Sequence, residues 1–118
     1  MKNLERIRER FLRDPSPRRL GALAADLARL SSLARHPKGG GEATALMMEE
    51  SQYFIEWVSP EVAAEIATEL VDIQIMLALW RRTWPEAQQH VAQRALLSFQ
   101  AKKWSNQVLR YSGLLDSG

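Results

Sequence analysis

Apolar and polar positions along this chain recur with a helical period, and no stretch alternates as a strand does. The prolines and glycines divide that pattern into five helices. The first is short, about Leu4 to Arg13, and stops before Asp14-Pro15-Ser16-Pro17. Ser16 is the expected N-cap of the second, with Pro17 in its first turn, and this helix runs to about Arg35. Leu20, Leu23, Leu27 and Leu30 form its apolar stripe. Gly21, Ala25, Ala28 and Ser32 form a strip of small residues that would let another backbone come close. His36-Pro37-Lys38-Gly39-Gly40-Gly41 reads as a flexible connection to a third helix, about Glu42 to Val58. Ser59-Pro60-Glu61 combines a cap, a first-turn proline and a carboxylate suited to a helix N-terminus, so a fourth helix is expected from there to about Thr83. Pro85 marks the next junction. A fifth helix is expected from about Glu86 to Ser112, ended by Gly113, with its seam along Leu97, Ala101, Trp104, Val108 and Tyr111.

Short connections between the last three helices predict antiparallel neighbours. The expected fold is all-α: an antiparallel four-helix bundle at residues 16–113, with a short N-terminal helix and turn over 1–15, in one domain of 118 residues. The four Trp are expected to plug the core, Trp57 and Trp104 near one end and Trp80 and Trp84 near the other. The fourth helix is apolar on two sides. Val62, Ile66, Leu70, Ile73, Leu77 and Trp80 share one face at about 100° per residue, while Val71, Ile75 and Leu79 point roughly the opposite way. Either the first or fifth helix covers that second face or another subunit does. A homodimer with Val71, Ile75 and Leu79 at its interface is the expectation.

Composition narrows the chemistry. With no Cys, disulfides, thiol nucleophiles and cysteine metal sites are excluded, and the two His, His36 and His90, have no metal-ligand spacing. Met1 to Phe11 lacks an apolar leader core, and Ile73 to Trp80, the longest apolar run, is broken by Gln74. The expectation is a cytoplasmic protein with no membrane contact. The net charge of +2 hides a segregation: residues 1–41 carry +6, residues 42–80 carry −8 with no basic residue, and residues 81–118 carry +4. Complementary helix faces account for such a layout. A nucleic-acid surface on Arg6, Arg8, Arg10, Arg13, Arg18 and Arg19 is the functional alternative.

The acidic third also places carboxylates on apolar faces. Glu50 lies among Leu46, Tyr53, Phe54 and Trp57. Glu69 falls between Ile66, Leu70 and Ile73, with Asp72 beside it. Counting outward from Ser59, Glu50 and Glu69 come at the same height of an antiparallel hairpin. An unpaired buried charge costs several kcal/mol. Such groups are therefore ion-paired, here by Lys102 or Lys103, or share a proton, or bind a hard cation such as Mg²⁺.

Leu46-Met47-Met48-Glu49-Glu50-Ser51-Gln52-Tyr53, followed by Glu69-Leu70-Val71-Asp72, resembles the MazG-like all-helical nucleotide pyrophosphohydrolases. Those enzymes pair an E-x-x-E helix with an E-x-x-D helix around Mg²⁺. The resemblance covers about a third of the chain. It implies Glu50, Glu69 and Asp72 as metal ligands, an oligomer, and cleavage of nucleoside triphosphates to monophosphate and pyrophosphate. Tyr53 stands where the first motif has its second carboxylate. More loosely, Leu4-Glu5-Arg6-Ile7-Arg8-Glu9-Arg10-Phe11 and the stretch from Leu20 to Ser32 resemble small helical proteins of cyanobacteria, a group that implies no site. The leading expectation is a non-catalytic helical interaction or regulatory module, homodimeric, with an unknown protein partner and no cofactor. The alternatives are a Mg²⁺-dependent pyrophosphohydrolase and a nucleic-acid binder.

Overall fold

A computed structural model describes residues 3–36 and 40–113. Pro37, Lys38 and Gly39 of the expected connection lie outside the described residues. Five α-helices follow in order: α1 (Leu4–Arg13), α2 (Ser16–Arg35), α3 (Glu42–Val58), α4 (Ala64–Ala87) and α5 (Val91–Ser112), with a 3₁₀ turn (Ser59–Glu61) before α4. Among the described residues there is no strand. None of these helices is long and apolar enough to cross a membrane. The radius of gyration, 13.9 Å, is that of a compact chain of this length, for which about 13.5 Å is expected.

The apolar stripes meet where the periodicity puts them. Leu20, Leu23, Leu27 and Leu30 of α2 are buried together with Leu70, Ile73, Leu77 and Trp80 of α4 and Leu97, Ala101 and Val108 of α5. The largest interface joins α2 to α5; α3 lies against α2 and α4, and α4 also meets α5. The close approach of α2 to α5 uses small residues one step round the helix from the expected strip. Ser31 Oγ donates to the Ser98 carbonyl at 2.8 Å, and Ser105 Oγ donates to the Ala24 carbonyl at 2.7 Å. Ala24 and Ser31 are buried there, whereas Ala25 and Ser32 are exposed. Small side chains let the backbones come within reach of a hydroxyl, and the hydroxyl is then satisfied without a charge.

Helix boundaries follow the sequence closely up to α3 and depart from it around α4. Ser16 does not cap α2: Pro15 holds the N-cap position, and the Ser16 hydroxyl reaches Glu61 at 3.4 Å instead. Ser59 does not start α4. Its hydroxyl donates back to the Ile55 carbonyl at 2.6 Å, closing α3, and the chain makes a 3₁₀ turn before α4 begins at Ala64. Pro85 does not end α4. It sits inside the last turn, where it forfeits the backbone bond to the Arg81 carbonyl, and buried Trp84 and Ala87 hold that turn against the core. At the other end Gly113, at φ 72°, closes α5 as expected.

Against α2 and α3 lies α1. Phe11 stacks on Phe54 with ring centroids 4.2 Å apart, and Trp57 lies 5.8 Å from Phe11 and 5.5 Å from Tyr53. Arg19 ties the α1–α2 corner: its guanidinium donates to the Leu12 carbonyl at 2.7 Å, to the Asp14 carbonyl and to Glu61.

Candidate functional site

Of the three carboxylates expected to gather, Glu69 and Asp72 are neighbours on α4 and Glu50 on α3 is set apart from them. The 3₁₀ turn moves the centre of the α3–α4 hairpin from Ser59 to Ala63: Gln74 Nε2 donates to the Gln52 carbonyl at 3.1 Å, and both residues are equidistant from Ala63. The Arg81 guanidinium reaches back to Glu49 at 3.8 Å. Glu50 therefore stands about two turns along the hairpin from Glu69. Glu69 is exposed and accepts from Gln107 Nε2 at 3.0 Å, and Asp72 is exposed beside it. Lys102 and Lys103 do not insert; both are exposed, and the Lys103 ammonium sits 5.7 Å from the Phe99 ring. Among the described residues, no three His, Cys, Asp or Glu converge as a metal-ligating group. Of the basic set on α1 and α2, Arg19 is consumed at its corner and Arg8 lies over Trp57, 5.9 Å from the ring.

Glu50 has a different neighbour. Asp26, on α2, is 1% exposed, and burial pushes its carboxyl up from the usual carboxylate range to about 8, helped by the adjacent Glu50 carboxyl and opposed by Arg29. Arg29 donates to Asp26 Oδ1 at 2.5 Å from the next turn of α2. Asp26 Oδ2 is buried with no donor facing it. The group close to Asp26 is Glu50, which as a carboxylate can only accept. Two such groups make a hydrogen bond only if one of them carries a proton, so at neutral pH the pair holds one proton between α2 and α3.

That pair floors a cleft of about 280 Å³ under α1. Ile7, Phe11, Ala22 and Phe54 give it apolar walls, and Arg10, Asp14 and Arg29 complete its charged lining. The signal for Asp26 is present in the sequence. It stands three residues after Leu23 and four before Leu30, inside the leucine stripe of α2 rather than on its flank.

The second notable surface lies on α4. Val71, Ile75 and Leu79 are 41%, 53% and 50% exposed, so neither α1 nor α5 covers them. Met76 extends this face to a groove shared with Leu96 and Phe99 of α5. Phe99 is 63% exposed.

No family model, curated protein or solved structure matches this chain. Two local features stand out in the structure, the carboxyl pair beneath α1 and the apolar face of α4.

Proposed function

We propose that this chain is a non-catalytic interaction module that works as a homodimer, two copies joining through the exposed face of α4. In this reading α2 to α5 form an antiparallel four-helix bundle and α1 closes one side. The observation that carries the proposal is the line of Val71, Ile75 and Leu79, continued by Met76, Leu96 and Phe99: large apolar groups left in water on adjoining helices. A second copy is the occupant that fits. A dyad crossing α4 near Ile75 sets Val71 of one chain by Leu79 of the other and repeats every contact twice. It also brings Arg82 of one chain toward the acidic first half of the other α4, which carries Glu65 and Asp72. The pyrophosphohydrolase reading has less support, because Glu69 and Asp72 lie in solvent away from Glu50.

Sedimentation equilibrium tests the proposal. The expected mass is twice the 13.4 kDa of the chain. Ile75→Glu puts two like charges at the dyad, so this variant is expected to sediment as a monomer with unchanged helix content. A wild-type chain that stays monomeric at high concentration overturns the proposal. So does an Ile75→Glu chain that still pairs.

A further inference from the structure

We propose that the outer face over α2 and α5 binds an unpaired nucleic-acid strand. The first support is positive charge without compensation. The α5 helix carries Arg94, Lys102, Lys103 and Arg110 and no Asp or Glu. The α2 helix carries Arg18, Arg19, Arg29 and Arg35, and its one carboxyl, on Asp26, is buried. Some of these cations are spent: Arg19 on Glu61, Arg29 on Asp26 and Arg94 on the Gln88 carbonyl. Arg18, Arg35, Lys102 and Arg110 are exposed, and among the described residues none of them has an ion-pair partner.

The second support is shape. A cleft of about 440 Å³ opens between the two helices, with Arg35 supplied by α2 and Lys102 by α5. Small residues line it, among them Ala28, Ser32 and Ala95. Ala28 and Ser32 belong to the strip that runs back along α2 through Ala25 and Gly21 to Arg18. Packing against α5 uses Ala24 and Ser31, one step round the helix, so Ala25 and Ser32 stay exposed. From Arg18 to Arg35 the strip spans ~25 Å at 1.5 Å per residue. A low track of that length with cations along it and no exposed carboxylate suits a polyanion, since each phosphate that meets a cation releases its counterions.

The third support selects a strand with free bases. Phe99 lines the same cleft and is 63% exposed, a large ring left in water among cations. The Lys103 ammonium lies over one face of the ring, which leaves the other for a base. Stacking of that kind tolerates any sequence, because every base has a flat face, and a duplex keeps those faces hidden. Phe99 also borders the groove beside Met76, so the strand and the proposed dimer contact meet at this ring and are tested apart.

The test uses the full chain, wild type and Ile75→Glu, with a labelled oligothymidylate of about a dozen nucleotides, followed by fluorescence anisotropy. Ile75→Glu acts on α4, so both chains should bind the strand whether or not the wild type pairs. Binding should saturate at low salt and weaken as salt rises, with a slope of about −3 in log K against log salt for four contacts. Arg35→Gln combined with Lys102→Gln should weaken it about tenfold or more. Arg6→Gln combined with Arg13→Gln removes the same charge from exposed positions on α1 and should leave it nearly unchanged. Phe99→Ala in the Ile75→Glu chain should weaken strand binding several-fold and leave binding of inorganic polyphosphate as it was. No saturable binding at low salt overturns the proposal. So does an equal loss from the two double variants. Polyglutamate or a duplex of the same length that competes as well as the strand also overturns it, since the face then receives an acidic protein or any polyanion.

Discussion

Asp26 is the residue whose environment departs furthest from what its chemistry prefers. Its carboxyl is buried, and its ionisation is pushed up to about 8 by desolvation first and by Glu50 second, with Arg29 pulling the other way. The unfolded chain ionises this group near 4. Between those two values the folded state holds a proton that the unfolded state has already released. Stability is therefore greatest below the unfolded value, falls as pH rises toward about 8, and levels off above it. The slope is on the order of 1 kcal/mol per pH unit for one proton, or a few degrees in Tm for a chain of this size. Asn has nearly the same shape and cannot ionise. The Asp26→Asn chain should show a flatter pH profile and should melt above wild type at pH 9. Thermal melts followed by circular dichroism from pH 5 to pH 9 check this. Parallel wild-type and variant profiles would contradict it.

At the scale of elements, joints matter more than helices. Gly40 lies in the turn before α3 at φ 75°, and a Cβ there would meet Thr44 Oγ1 at 2.3 Å and the Leu33 carbonyl at 3.0 Å. Thr44 is fully buried, so it has nowhere to swing. Gly113 also has a positive φ, of 72°, but a Cβ there meets nothing within 4 Å. Gly113→Ala should thus cost only the left-handed backbone penalty, about 1 kcal/mol. Gly40→Ala adds a steric clash and should cost at least ~2 kcal/mol. Urea unfolding of both variants should rank them in that order. The same joints decide how far the architecture can be read from the sequence. The extents of α1, α2 and α3 were legible, because Pro15 and the glycines Gly40 and Gly41 fall between helices rather than inside them. The α3–α4 joint was not, because a serine hydroxyl can turn either way. Ser59 closes α3 instead of opening α4, and the added 3₁₀ turn shifts the register of the hairpin. That shift separates Glu50 from Glu69, two residues that a count from Ser59 aligns. Pro85 misleads because burial of Trp84 and Ala87 outweighs the single backbone bond its ring removes. Half of the candidate site, Glu50 on an apolar face, was legible. Its partner Asp26 carried the same pattern on α2, but pairing across α2 and α3 depends on helix packing, which periodicity does not encode.

Over the whole molecule, the charge segregation is spent partly inside the chain. Arg19 of the basic first third reaches Glu61, and Arg81 of the basic last third reaches Glu49 and Gln52. Exposed pairs of this kind contribute about 0–1 kcal/mol each, so they orient the helices more than they hold them. The proposed dimer gives the remaining charge on α4 a use. With the two α4 helices antiparallel about Ile75, Arg82 faces the acidic half of its counterpart, and the dyad makes that contact twice. Two such contacts amount to about 1 kcal/mol at low salt, several-fold in the dissociation constant. Arg82→Glu reverses the sign at both sites and should weaken the dimer about tenfold or more. Raising the salt concentration should weaken the wild-type dimer but strengthen the Arg82→Glu dimer, because screening removes attraction in one and repulsion in the other. Sedimentation at several salt concentrations reads both effects. A dimer whose affinity ignores salt and Arg82 alike would exclude this antiparallel arrangement. In that case the apolar face would have to be met in another orientation, one that leaves the acidic half of α4 in water.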